Sequence, residues 1–154
     1  MSYEDLVGSE TIRPHGLTPE QQARRLAEML SLARQHLADA AQTAISRDAR
    51  YSLAYAAARV AAEAVMLAEG YRPGRGPGGH AAVFTFLRRV DNPQCSAVAA
   101  YLDAARRKRN VAEYERPGTV TTHELQELAT EAAAFVAAVC AHLAPNHEQE
   151  DGTA

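Results

Sequence analysis

From residue 19 onward apolar side chains return at helical spacing, and before residue 17 they do not. Thr18-Pro19-Glu20-Gln21 reads as a helix start: Thr18 caps, Pro19 suits the first helical position and Gln21 completes a capping box. Leu26, Met29, Leu30, Ala33, Leu37, Ala40 and Ala44 then predict a long amphipathic helix over about 19–45. Ser46–Asp48 ends it and caps a second helix with Leu53, Ala57, Val60, Ala64 and Leu67 on one stripe and Gly70 as its stop. Two long helices joined by so short a turn pack antiparallel.

"YRPGRGPGG", residues 71–79, is the one obvious loop. A shorter helix follows over about 80–90, carrying Val83, Phe84, Phe86 and Leu87. After Asp91-Asn92-Pro93 a fourth helix sets Val98, Leu102, Ala105 and Arg109 on one face, and Pro117-Gly118 ends it. Thr121 and Glu124 form a second capping box, and the last helix runs through Leu125, Leu128, Ala132, Phe135, Val136 and Val139 to about Leu143. No useful strand alternation and no repeat is present. The expected fold is all-α, an antiparallel bundle of four main helices plus one short helix. Residues 1–17 read as a flexible N-terminal arm, 18–144 as the helical domain and 145–154 as a disordered tail.

Composition agrees with this. Of the 154 residues 47% are apolar, many of them alanine, and only 6% aromatic, which suits helices packed through small side chains better than a sheet. A formal net charge of −3 argues against a protein that coats nucleic acid or an anionic membrane, although it leaves room for a local basic patch. The opening MSYEDLVGSE has acids and no apolar core, so it does not read as a signal peptide. The longest apolar run, Ala132–Ala141, is too short to span a bilayer. Cys95 and Cys140 are far apart and outside any CxxC pair, as reduced thiols of a cytoplasmic protein would be. The expectation is a cytoplasmic protein without membrane partners.

Few segments carry chemistry. "GRGPGGH" has the glycines and arginine of a phosphate loop but lacks the preceding strand and the Gly-Lys-Ser/Thr ending, so it reads first as an interhelical loop. Arg72, Arg75 and His80 are nonetheless placed to touch a phosphate backbone. His36, His123 and His142 are scattered, and no histidine has a partner at metal-ligand spacing, so neither metal nor cofactor is assigned. No Gly-x-Ser-x-Gly elbow is present, and neither cysteine has a partner for nucleophilic chemistry.

The exception is "RRKRNVAEYE", residues 106–115. Cations near a helix C-terminus complement its dipole, and Arg109 with Glu113 is an i,i+4 pair. That accounts for Arg106, Arg107 and Lys108. Arg109, however, shares the apolar stripe of Val98, Leu102 and Ala105, where a charge is paired or lines an interface.

Two long antiparallel helices, a loop, a helix bearing Arg-Asn and a final helix resemble the HEPN superfamily over about 19–143. "RNVAEYE" is similar to the HEPN signature Arg-polar-x3-His, and its form most resembles the SAV_6107-like HEPN branch. The resemblance implies a homodimer whose two motif helices meet in a cleft. Active members cleave RNA without metal: the 2′-hydroxyl attacks the adjacent phosphate, histidine assists proton transfer and arginine stabilises the phosphorane. Such proteins occur in toxin–antitoxin pairs, often beside a nucleotidyltransferase antitoxin, and in phage defence.

Here the histidine position is Tyr114, and a phenol is a poor general base at neutral pH. On a straight helix positions 109 and 114 lie roughly 140° apart, so joint action requires a bend near Asn110 or a contribution from each chain of a dimer. The first expectation is therefore a dimeric protein that binds RNA or a nucleotide through Arg109, Asn110 and Tyr114, with Arg106, Arg107 and Lys108 as further RNA contacts. Two alternatives stand beside it: an active metal-independent endoribonuclease toxin with a substitute proton carrier, for which His80 and His123 are candidates, and a helical adaptor without RNA binding. Family members can be silenced by adenylylation of a tyrosine two residues past the histidine, but that position is Arg116 here.

Overall fold

A computed structural model describes residues 3–76 and 78–143. The elements in order are α1 (Glu4–Gly8), β1 (Ile12–Pro14), α2 (Pro19–Ala40), α3 (Arg47–Ala68), β2 (Tyr71–Pro73), α4 (Gly79–Arg89), α5 (Pro93–Asn110), a π-helical turn (Val111–Glu115) and α6 (Thr122–Leu143). The four main helices are α2, α3, α5 and α6, with α4 the shorter fifth, so the all-α bundle is as expected. No helix among the described residues is long and apolar enough to cross a membrane.

The caps are where the sequence puts them. Thr18 Oγ1 accepts from the Gln21 N–H while Gln21 Oε1 accepts from the Thr18 N–H, and Thr121 and Glu124 reciprocate in the same way. Ser46 Oγ accepts from the Ala49 N–H to start α3. Helix α2 ends at Ala40, earlier than its apolar pattern suggests. The Ala40 carbonyl accepts a hydrogen bond from Arg50 Nε at 2.8 Å, which satisfies a terminal carbonyl without another helical turn.

Helix α3 is the axis of the molecule. Twelve of its side chains, from Tyr51 to Leu67, are buried, six of them alanines, and it touches α2, α4, α5, α6 and β2. Alanine on every side of a helix lets several neighbours approach closely, and it explains how a chain so poor in aromatics fills a core. Helix α5 contributes Cys95, Ala99, Leu102 and Ala105, and α6 contributes Leu125, Leu128, Phe135, Val136 and Val139.

Residues 3–17 correct the expected flexible arm. Leu6 and Ile12 are buried, and the Tyr3 ring packs on Phe86 and Tyr71 at centroid distances of 4.7 and 5.5 Å. Asp5 receives two hydrogen bonds from the Arg89 guanidinium, at 2.6 and 3.1 Å. Strand β1 pairs antiparallel with β2, matching Ile12 with Pro73, Arg13 with Arg72 and Pro14 with Tyr71. These elements are too short to show periodicity, and they are held by a few single contacts. Gly74 is required beside this ribbon: a Cβ there would fall 1.8 Å from the Glu10 carbonyl oxygen. The expected tail, 145–154, lies outside the described residues.

Candidate functional site

Arg109 sits in the last turn of α5 and reaches α3, with a side chain only 21% exposed. Its guanidinium carbon lies 5.0 Å from the centroid of the Tyr55 ring, a cation–π contact with the central helix. Nη2 donates to Asn110 Oδ1 at 3.0 Å. The i,i+4 partner Glu113 is 4.0 Å from Nε, and that buried Nε has no hydrogen-bond partner among the described residues. Glu113 is engaged elsewhere, accepting from Ser52 Oγ at 2.7 Å. The ordinary helix-end pairing therefore leaves Arg109 short of acceptors.

Tyr55 is fully buried, and its hydroxyl is 3.0 Å from His80 Nδ1. His80 stands in the first turn of α4, so α5, α3 and α4 bring Arg109, Tyr55 and His80 into one cluster. One turn further along α3, Arg59 pairs with Glu63 at 2.7 Å and has its own buried, unpartnered Nε. Burial, and then the positive charges of Arg59, Arg109 and Arg106, push the His80 imidazole down to about 4, so it is neutral at pH 7. Burial pushes the Tyr55 phenol up to about 12, overriding the same arginines, so its hydroxyl keeps its proton.

The basic run does not form one patch. Arg106 and Arg107 both reach Asp103, which Arg88 of α4 also approaches at 3.6 Å. Lys108 turns to the opposite side and pairs with Glu124 of α6 at 3.3 Å. Among the described residues of this run, Arg109 is the one with a direct ring contact to α3.

After Asn110 the helix widens. The Arg116 N–H donates to the Val111 carbonyl at 2.7 Å, closing a π-helical turn, and Pro117 forces the chain out. The change in helical form comes where the motif needs one, yet Tyr114 does not turn back to Arg109. It is 78% exposed and shares none of the hydrogen-bond or ring contacts of Arg109 among the described residues. His123 is 86% exposed beside Glu127, apart from this cluster. The structure therefore joins Arg109 and Asn110 with His80 and leaves Tyr114 facing outward.

The sequence reading named neither Tyr55 nor Arg59. A signal was present: Tyr51, Tyr55, Arg59 and Glu63 recur every fourth residue through a helix otherwise dominated by alanine. Among the described residues no group of His, Cys, Asp or Glu is placed to hold a metal ion.

A family model described as SAV_6107-like HEPN matches residues 40–140, from the end of α2 to the last turns of α6 and including every residue of the cluster. No curated protein and no solved structure matches the chain.

Proposed function

The chain belongs to the SAV_6107-like HEPN family, and from that premise we propose that it is a homodimeric RNA- or nucleotide-binding protein of a toxin–antitoxin or defence system. Arg109, with Asn110, receives a phosphate, and Arg106 and Arg107 lie along the same helix end. The observation that carries this reading is the half-buried Arg109 guanidinium with an unsatisfied Nε. A phosphate oxygen accepting from the exposed part of this guanidinium offsets the charge shared with Arg59 and Arg106. Tyr114, a large exposed ring on the π-helical turn, suits the seam with a second copy, where it meets the partner's site. A cognate antitoxin, such as a nucleotidyltransferase, fits the same setting.

The test is fluorescence anisotropy with labelled RNA, together with light-scattering mass, on the wild type, Arg109→Ala and Tyr114→Ser. Arg109→Ala should weaken RNA binding at least about tenfold, the loss of roughly one charge-assisted hydrogen bond. Tyr114→Ser should lower the dimer fraction. If Arg109→Ala changes neither RNA affinity nor mass, the reading is wrong.

A second reading, cleavage, draws support from His80. The His80 imidazole, linked to Arg109 through Tyr55 and neutral at pH 7, is the base closest to Arg109 in this cluster, though a weak one. In that chemistry the 2′-oxygen loses its proton to a base and bonds to phosphorus, while the P–O5′ bond breaks and the leaving 5′-oxygen takes up a proton. The 2′,3′-cyclic phosphate and 5′-hydroxyl ends need no added reactant. Incubation of RNA in EDTA with wild type, Arg109→Ala and His80→Gln separates the two readings. Cleavage lost in both variants establishes it, and intact RNA with all three proteins leaves binding alone.

A further inference from the structure

Arg13 and Arg72 are cross-strand partners in the β1–β2 ribbon. Like charges directly opposite one another destabilise a strand pair. Arg75 of the glycine loop adds a third cation. Burial first, and then the charges of Arg72 and Arg75, lower the Arg13 guanidinium from its ordinary value, so the three act on one another. Among the described residues none of the three belongs to an ion pair. The Arg13 Nε is buried without a hydrogen-bond partner. Glu10 lines the same cavity of about 290 Å³ as Arg13 and Arg75 but pairs with neither.

The fold holds this arrangement in place. The Gly74 N–H donates to the Thr11 carbonyl at 2.9 Å, and the closeness that Gly74 alone permits keeps the Arg75 loop against the ribbon. Three uncompensated cations kept together against their repulsion are a site for an anion.

A groove of about 460 Å³ opens beside this ribbon and extends to Glu63, the ion-pair partner of Arg59. Tyr71 and Arg72 of the ribbon and Arg24 and Arg25 of α2 line it. Glu28 also lines it and is held by Arg25 at 3.4 Å. A single free phosphate would need one pocket, whereas a strand of RNA needs a track with spaced cations and a place for bases such as the Tyr71 ring. We propose that Arg13, Arg72 and Arg75 form a second phosphate-binding site, which takes the backbone of the RNA strand whose other phosphate is held at Arg109. This rests on RNA being the ligand at Arg109.

The test compares wild type, Arg109→Ala and Arg13→Ser/Arg72→Ser/Arg75→Ser on two probes, a mononucleotide and an RNA of about 12 nucleotides, over a range of salt. Because Arg13 is partly buried, Arg72→Ser/Arg75→Ser, which alters only exposed side chains, serves as the second ribbon variant. The ribbon variants should weaken mononucleotide binding less than Arg109→Ala does. They should weaken the longer RNA and flatten its log K against log salt slope, by about 2 for three lost contacts and about 1.4 for two. An unchanged slope in the folded double variant, with Arg109→Ala weakening both probes, overturns the ribbon site and leaves the Arg109 reading standing. Loss of RNA binding in the ribbon variants with none in Arg109→Ala overturns the Arg109 reading and leaves the ribbon as the site.

Discussion

His80 links the cluster to pH, and the effect can be worked out in advance. Its imidazole is pushed from 6.5 to about 4 in the folded protein by burial and by three arginines. The unfolded chain therefore binds the proton more readily, and stability rises with pH through this window. It is fully present above pH 6.5 and is lost progressively as pH falls toward 4. Between about pH 7.5 and about pH 5 the full shift corresponds to about 2 kcal/mol, and solvent screening of this partly exposed ring reduces that to nearer 1 kcal/mol. The assay is urea unfolding of wild type and His80→Gln near both pH values. Carboxylates and the other histidines titrate alike in the two proteins, so the double difference isolates His80. His80→Gln should flatten the pH dependence by about 1 kcal/mol. Equal pH dependence in both proteins would refute the reasoning. A bound phosphate should act in the opposite direction: by offsetting Arg59 and Arg109 it should raise the His80 value, seen as a shift in the imidazole NMR titration.

Other consequences are local. Tyr55→Phe keeps the ring beneath Arg109 but leaves His80 Nδ1 without its partner, so it should cost about 1–2 kcal/mol in denaturant unfolding while RNA affinity stays within about twofold. Gly74→Ala drives a methyl into the Glu10 carbonyl and should destabilise by about 1–3 kcal/mol, with faster proteolysis before residue 17. Arg72→Thr removes the like charge opposite Arg13 and should raise the melting temperature slightly, and a fall would show that Arg72 has a structural partner. Leu102→Ala empties a 1% exposed position on the α5 stripe and should cost about 2–5 kcal/mol.

The four main helices were legible because each has two independent marks. Thr18 with Gln21 and Thr121 with Glu124 fix starts by side-chain hydrogen bonds, and the apolar stripes between them have the period of the element they form. The ribbon had neither mark. Three-residue strands carry no measurable alternation, and the burial of Ile12 depends on Pro73, 61 positions further along the chain, and its neighbours. The same reason hid Tyr3 and Leu6, which a local pattern assigns to a polar arm.

At the site, the sequence marked Arg109 because a charge on an apolar stripe is an exception, and exceptions are visible locally. Its partners were not, since Tyr55 and His80 lie on α3 and α4 and meet Arg109 only when those helices pack. Tyr114 is marked by its place along the chain, whereas proton transfer depends on distance. His80 is contributed by a different helix, yet it has what Tyr114 lacks: a neutral imidazole nitrogen within the arginine field, on a ring oriented by a buried hydroxyl. Loss of the motif histidine and loss of a histidine from the site are separate statements, and only the first follows from the sequence. In an RNA-cleavage assay the His80→Gln variant, rather than Tyr114→His, is therefore the one whose outcome bears on the proposed chemistry.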